Sequence, residues 1–241
     1  MKGENTILSN DLKLHVDEIK LKVMLTIDIP VNKMMETESK FIDSFLAKDE
    51  KWEKFHHENK FKLYTFSGFY PLEKDGVYKK GKQYTITIRT VNDSLALYFS
   101  TCRHANSCMN VVDTSSRIIP RKKLEKIYTL TPAVIKTEDG YWRRNTGLDD
   151  FERRIFENAV KKYNGYMGAK IDEEFQLYTN IIFLNKKPIS TKYKNIHLIG
   201  DKVELVIADD EKAQELAYFL IGTGIGENCS RGFGFCNYKW I

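Results

Sequence analysis

Two stretches of this 241-residue chain carry residue types that can do chemistry. The first runs Phe55-His56-His57-Glu58-Asn59-Lys60-Phe61-Lys62-Leu63-Tyr64-Thr65-Phe66-Ser67. An imidazole titrates near neutral pH, so His56 or His57 could both take and return a proton. An ammonium group such as that of Lys62 could stabilise charge building on a phosphoryl group. Adjacent histidines beside surface lysines are also an ordinary feature of exposed loops, and the residues alone leave both readings open. The second stretch places Gly222, Gly224, Gly226, Gly232 and Gly234 within thirteen positions, with Glu227, Ser230 and Arg231 among them. Glycines at this density imply tight turning or close backbone approach. Amides exposed by such turns can bind phosphate oxygens, although a structural turn from helix to strand would read the same way. A dinucleotide-binding loop is excluded, because that loop follows a strand and opens a helix. Here the predicted order is helix first and strand second.

The elements that must hold these stretches follow from hydrophobic periodicity. Ile19, Leu21, Val23, Leu25, Ile27 and Ile29 alternate with polar residues, which predicts a half-buried strand over 18–29 ended by Pro30. Phe41 with Phe45 and Ile42 with Leu46 predict a helix over 34–48. Strands are expected over 62–69 and 83–91, a short helix within 93–109, and a strand over 126–136. Phe151, Ile155, Ala159 and Tyr163 mark a helix over 149–163, with Asn164-Gly165 as its stop. Strands over 175–184 and 195–207, a helix beginning near Asp210, and a strand over 233–240 complete the chain. The order β-α-β-β-(α)-β occurs twice. The expected fold is therefore α+β, with two tandem ferredoxin-like (RRM-like, βαββαβ) domains divided as 1–128 and 129–241.

Composition sets the outer limits. A hydrophobic content of 42% supports one large or two small cores, and 29% charged residues with 5 prolines do not describe a disordered chain. No apolar run reaches the roughly 18 residues of a membrane span. Residues 1–5 lack a signal-peptide layout, so a cytoplasmic location is expected. The four cysteines, Cys102, Cys108, Cys229 and Cys236, are expected to be reduced thiols. Cys102, His104 and Cys108 have no common zinc spacing, so no metal and no cofactor is expected. The net charge of +5 permits nucleic-acid binding without demanding it. Basic pairs at Lys79-Lys80, Arg121-Lys122, Arg143-Arg144, Arg153-Arg154, Lys161-Lys162 and Lys186-Lys187 would form a phosphate track if they shared one side of the fold.

The segment from His56 to Ser67 resembles the histidine-then-Lys-Leu-aromatic-Thr-aromatic-Ser segment of the CRISPR repeat-processing endoribonucleases, the sixth CRISPR-associated family within the RAMP superfamily. The run from Gly224 to Phe235 is similar to the glycine-rich loop closing their second domain. The resemblance implies a metal-independent endoribonuclease that cuts CRISPR precursor RNA inside each repeat. Attack by the 2′-hydroxyl would leave 2′,3′-cyclic phosphate and 5′-hydroxyl ends. It implies His56, His57 and Lys62 as catalytic residues, with His56 favoured by gapless counting from Lys62. Lys60, Gly224, Gly226, Ser230, Arg231, Gly232 and Gly234 would hold RNA. CRISPR repeat RNA is the implied partner, and the family also admits a homodimer or assembly into an effector complex. Some members use a tyrosine on the first helix, where this chain has Phe41. Other members bind without cutting, so the alternative is an inactive RAMP-type RNA-binding subunit of an effector complex.

Overall fold

The computed structural model describes residues 14–101, 103–137 and 140–241. Residues 1–5 and Cys102, both used in the sequence reading, lie outside the described residues.

Strand β1 (Val16–Leu25) buries Ile19, Leu21, Val23 and Leu25 on one face while Lys20 and Lys22 reach solvent on the other. It stops at Leu25, short of the expected Ile29, and Ile27 is exposed. A two-residue strand β2 (Ile29–Pro30) leads into helix α1 (Val31–Leu46), whose Phe41, Ile42, Phe45 and Leu46 are all buried. Pro30 stands at its N-cap, where a missing N–H leaves no helical bond unmade. Helix α2 (Glu50–His57), which periodicity did not reveal, begins at Asp49, whose side chain accepts from the amides of Lys51 and Trp52. Strand β3 (Tyr64–Phe66), the short β4 (Val77–Tyr78) paired with β2, strand β5 (Gln83–Thr90) and helix α3 (Asp93–Thr101) follow. Strand β6 (Met109–Ile119) was not expected, because it is an edge strand exposed over most of its length and shows no clean alternation.

The chain passes to a second sheet between Ile119 and Leu124. Strand β7 (Leu124–Thr129) is shorter than the expected 126–136, and the hairpin β8 (Lys136–Thr137) and β9 (Gly140–Tyr141) follows it. After α4 (Trp142–Asn145), helix α5 (Leu148–Met167) continues through the expected stop at Asn164-Gly165 and ends at Gly168, which has φ +69°. Strand β10 (Tyr178–Phe183) comes next. The strand expected over 195–207 is broken at Asp201: β12 (Ile196–Gly200) pairs with β11 (Ile189–Tyr193), and β13 (Val203–Ile207) joins the main sheet. Helix α6 (Glu211–Thr223) is capped by Asp210, and β14 (Cys236–Trp240) closes the chain.

The sheet orders are β3-β5-β1-β6 and β10-β13-β7-β14, with antiparallel neighbours throughout. Both have the ferredoxin-like order, with the second strand of each repeat at one edge and the fourth at the other. The fold is two tandem ferredoxin-like repeats. Helix α6 joins them: the Tyr218 hydroxyl accepts from the Val16 amide at 3.1 Å and donates to the Ile119 carbonyl at 2.6 Å. Gly222 lets this helix close on β1 and β5, since a Cβ there would lie 2.9 Å from Val91 Cγ1. Buried Arg89 completes the junction, pairing with Glu18 at 2.7 Å and donating to the Cys236 carbonyl at 2.6 Å. Among the described residues, no helix is long and apolar enough to cross a membrane.

Candidate active site

The last turn of α2 carries His56 and His57, and the chain then folds back on the helix through Glu58 to Leu63. Lys62 fixes that return. Its ammonium donates to the carbonyl of Phe55 and, at 2.6 Å, to that of Glu58, and it lies 4.9 Å from the Phe55 ring centre. These carbonyls form the negative end of the helix, which a cation stabilises. Burial pushes the Lys62 ammonium below its ordinary value. Leu63 adopts φ +54° at the turn, where its carbonyl accepts from Thr90 Oγ1 at 2.8 Å.

The glycine-rich loop leaves α6 at Gly224, makes a 3-10 turn over Cys229–Arg231 and enters β14. Gly224, Gly226, Gly232 and Gly234 all have positive φ. A Cβ on Gly234 would overlap the Ile225 carbonyl, and one on Gly232 would come within 2.7 Å of the Phe66 ring. The loop amides, expected from sequence to face a ligand, are largely used inside the fold. Gly224 donates to Leu220, Gly232 to Cys229 and Gly234 to Pro132. Gly226 offers its carbonyl to Lys162. These glycines shape the loop, while Asn228, Ser230 and Arg231 present side chains at its tip.

The two stretches, more than 150 positions apart in sequence, face each other across one cleft of about 390 Å³. His56, Lys60, Lys62 and Tyr64 line one wall; Lys162, Asn228, Ser230 and Arg231 line the other. His56 is half-buried, with Nδ1 3.6 Å from Asp43 Oδ1 on α1. His57 is exposed and is not among the residues lining the cleft, its ring edge-on to His56 at 5.4 Å between centres. Lys60 is exposed and pairs with Glu58 at 3.4 Å. Arg231 stacks over Tyr193 at 5.3 Å and donates to Asn228 Oδ1 at 3.2 Å. Burial drives the Tyr64 phenol far above its ordinary range, opposed in part by a hydrogen bond with Ser230.

Two groups here escaped the sequence reading. Lys162, a member of one basic pair considered for a phosphate track, is buried and donates to Gly224 at 3.0 Å and Gly226 at 2.6 Å. The signal was present: Ile155, Ala159 and Lys162 fall on one helical stripe. Asp43 gave no comparable signal, because its neighbour His56 comes from another helix. Several members of the basic pairs are engaged by carboxylates of the fold. Arg121 pairs with Glu215, Arg143 with buried Asp201, and Arg153 with Asp150 and Glu157. Phe41 is fully buried against His104, 4.9 Å between ring centres, so no hydroxyl stands at that helical position. His104 itself is a core residue whose Nε2 meets Ser44 Oγ at 2.8 Å. Among the described residues, His15, Asp17 and Asp93 have donor atoms within 4.8 Å of one another, and none of the three lines the cleft.

Residues 116–238 match the family described as CRISPR associated protein Cas6, C-terminal. The chain belongs to the Cas6 family. Solved structures extend the likeness of fold to nearly the whole of this Cas6-family chain. One, described as a CRISPR associated protein Cas6, is 22% identical with a TM-score of 0.69, covering 93% of this chain and 99% of that one. Another, a RAMP protein binding different RNA substrates, is 18% identical with a TM-score of 0.68, covering 92% and 99%. A Thermus thermophilus Cas6 product complex is 15% identical with a TM-score of 0.63, covering 93% and 99%. No curated relative matches the chain by sequence.

Proposed function

We propose that this chain is a metal-independent endoribonuclease that cuts CRISPR precursor RNA within its repeats. The observation that carries the reading is the shared cleft, in which His56 and Lys62 face the tip of the glycine-rich loop. The product complex and RNA-binding RAMP protein among the structural neighbours support an RNA ligand. The 2′-hydroxyl attacks the adjacent phosphorus, the bond to the 5′-oxygen breaks, and the products carry a 2′,3′-cyclic phosphate and a 5′-hydroxyl. His56 takes the 2′-hydroxyl proton, and His57, the next residue on α2, returns one to the leaving oxygen. An ammonium has three donors; Lys62 uses two on α2 and keeps one for a non-bridging phosphate oxygen. Ser230 and Arg231 hold the phosphate from the opposite wall, and Lys60 the flanking backbone.

The test is incubation with cognate CRISPR repeat RNA in excess EDTA, with end-group analysis of the fragments. Cleavage to cyclic-phosphate ends is expected, and a 2′-deoxy substitution at the attacking nucleotide should abolish it. Cutting of the deoxy substrate would overturn the mechanism. Tight binding with no cleavage at single turnover would identify an inactive RNA-binding subunit instead.

A further inference from the structure

We propose that Asp43 is a positioning residue for His56, holding the imidazole through Nδ1 so that Nε2 is presented to the cleft. The inference rests on the reading of His56 as a proton-transfer group. The two residues come from different helices, each anchored independently. Phe41, Ile42 and Phe45 fix α1 in the core around Asp43, and Trp52 fixes α2 one turn before His56. The Ser39 hydroxyl, one turn before Asp43, meets the Tyr193 hydroxyl at 2.8 Å and ties α1 to the β11–β12 hairpin. The 3.6 Å between Asp43 Oδ1 and His56 Nδ1 is thus set by packing rather than by two long, mobile side chains.

Asp43 lies between two opposing influences. Burial raises the Asp43 carboxyl above its ordinary value, and His56, Lys194 and Arg231 pull it back. These three groups arrive from separate segments: α2, the hairpin turn and the glycine-rich loop. A carboxylate facing Nδ1 selects the neutral tautomer with its proton on that nitrogen. The lone pair then lies on Nε2, where a ribose hydroxyl can reach it. When Nε2 takes the proton, the same carboxylate stabilises the imidazolium. No tyrosine hydroxyl is available at Phe41, so the first helix contributes a carboxylate behind the histidine rather than an acid beside the substrate.

The full chain labelled with ¹⁵N at histidine gives a readout independent of RNA. At pH 8, His56 is expected as the Nδ1–H tautomer, shifting toward Nε2–H in Asp43→Asn. With cognate repeat RNA, Asp43→Asn should lower single-turnover cleavage about 10-fold or more, leave RNA affinity within about threefold, and add no further loss to His56→Ala. Asp43→Glu should recover part of the rate. A wild-type Nε2–H tautomer would sink the inference without any variant. So would an unchanged rate in Asp43→Asn alongside an inactive His56→Ala, and that pattern would leave the proposed site standing. Wild-type cleavage by His56→Ala would remove the proposed role of His56, and the positioning role with it.

Discussion

The Lys162 ammonium donates across 2.6 Å to the carbonyl oxygen of Gly226, at the cleft wall and almost wholly shielded from water. The same group reaches the Gly224 carbonyl and Cys229 Sγ, so one cation from α5 gathers the start of the glycine-rich loop. Lys162→Met keeps most of the volume and removes every one of these bonds. It is expected to lower stability by about 2–4 kcal/mol, because buried acceptors are left unpaired. Chemical denaturation measures that loss, and cleavage should fall with loop order. A melting curve that does not move would show that the loop holds itself.

Lys62 makes a prediction that separates structure from catalysis. Its ammonium closes the carboxyl end of α2, so Lys62→Ala should cost about 1–2 kcal/mol of stability as well as activity. Full loss of cleavage with unaltered stability would mean that the contacts to Phe55 and Glu58 contribute nothing to the fold.

The loop glycines and an exposed helical glycine should respond in opposite directions. Gly234→Ala places a methyl group against the Ile225 carbonyl at a φ of +64°, and is expected to destabilise by more than about 2 kcal/mol. Gly165→Ala, inside α5 with nothing within 4 Å of the new Cβ, should stabilise by roughly 0.5–1 kcal/mol. Thermal unfolding of the pair reads both signs in one experiment.

His104 gives stability an acid-side dependence. Burial, with a smaller contribution from Lys48, lowers its imidazole from 6.5 to about 4. In this window the unfolded chain binds a proton that the native chain excludes, so stability falls as pH drops from 6.5 toward 4. The loss from this group should be about 2–3 kcal/mol. His104→Leu should flatten that part of the profile, and an unaltered slope would assign the acid sensitivity elsewhere.

Glu38 acts on the alkaline side. It is fully buried on α1, neither carboxylate oxygen has a hydrogen-bond partner from a side chain, and burial raises its carboxyl well above the ordinary value. The native state favours the neutral acid, whereas the unfolded chain ionises above its ordinary value of 4.5. Its contribution is therefore complete at acid pH and declines as pH rises. Glu38→Gln should melt higher than wild type near pH 8, with the advantage shrinking toward pH 5. An advantage that stays constant with pH would show that Glu38 does not titrate in the fold.

Local physics made much of the architecture legible. β1, α1, β5 and α5 each bury one strongly patterned face, α6 is buried all round from Leu216 to Thr223, and the sequence placed each to within a few residues. Elements with weak or misleading patterns did not show themselves. Edge strand β6 faces solvent along most of its length, α2 buries little besides Trp52, and Asn164-Gly165 looks like a helix stop although the stripe continues beyond it.

The amino-acid order by itself determined the two ferredoxin-like repeats, the imidazole segment and the glycine-rich loop as separate motifs, and the family those motifs resemble. Periodicity and backbone permissiveness are properties of short stretches, so they survive in one dimension. Only the folded chain decided that the two motifs share one cleft lined by His56 and not by His57, that Lys162 is buried beneath the loop, and that Asp43 stands behind His56. Those relations depend on the direction of side chains from separate helices and on which partners share a desolvated space. Neither is encoded at any single spacing along the sequence.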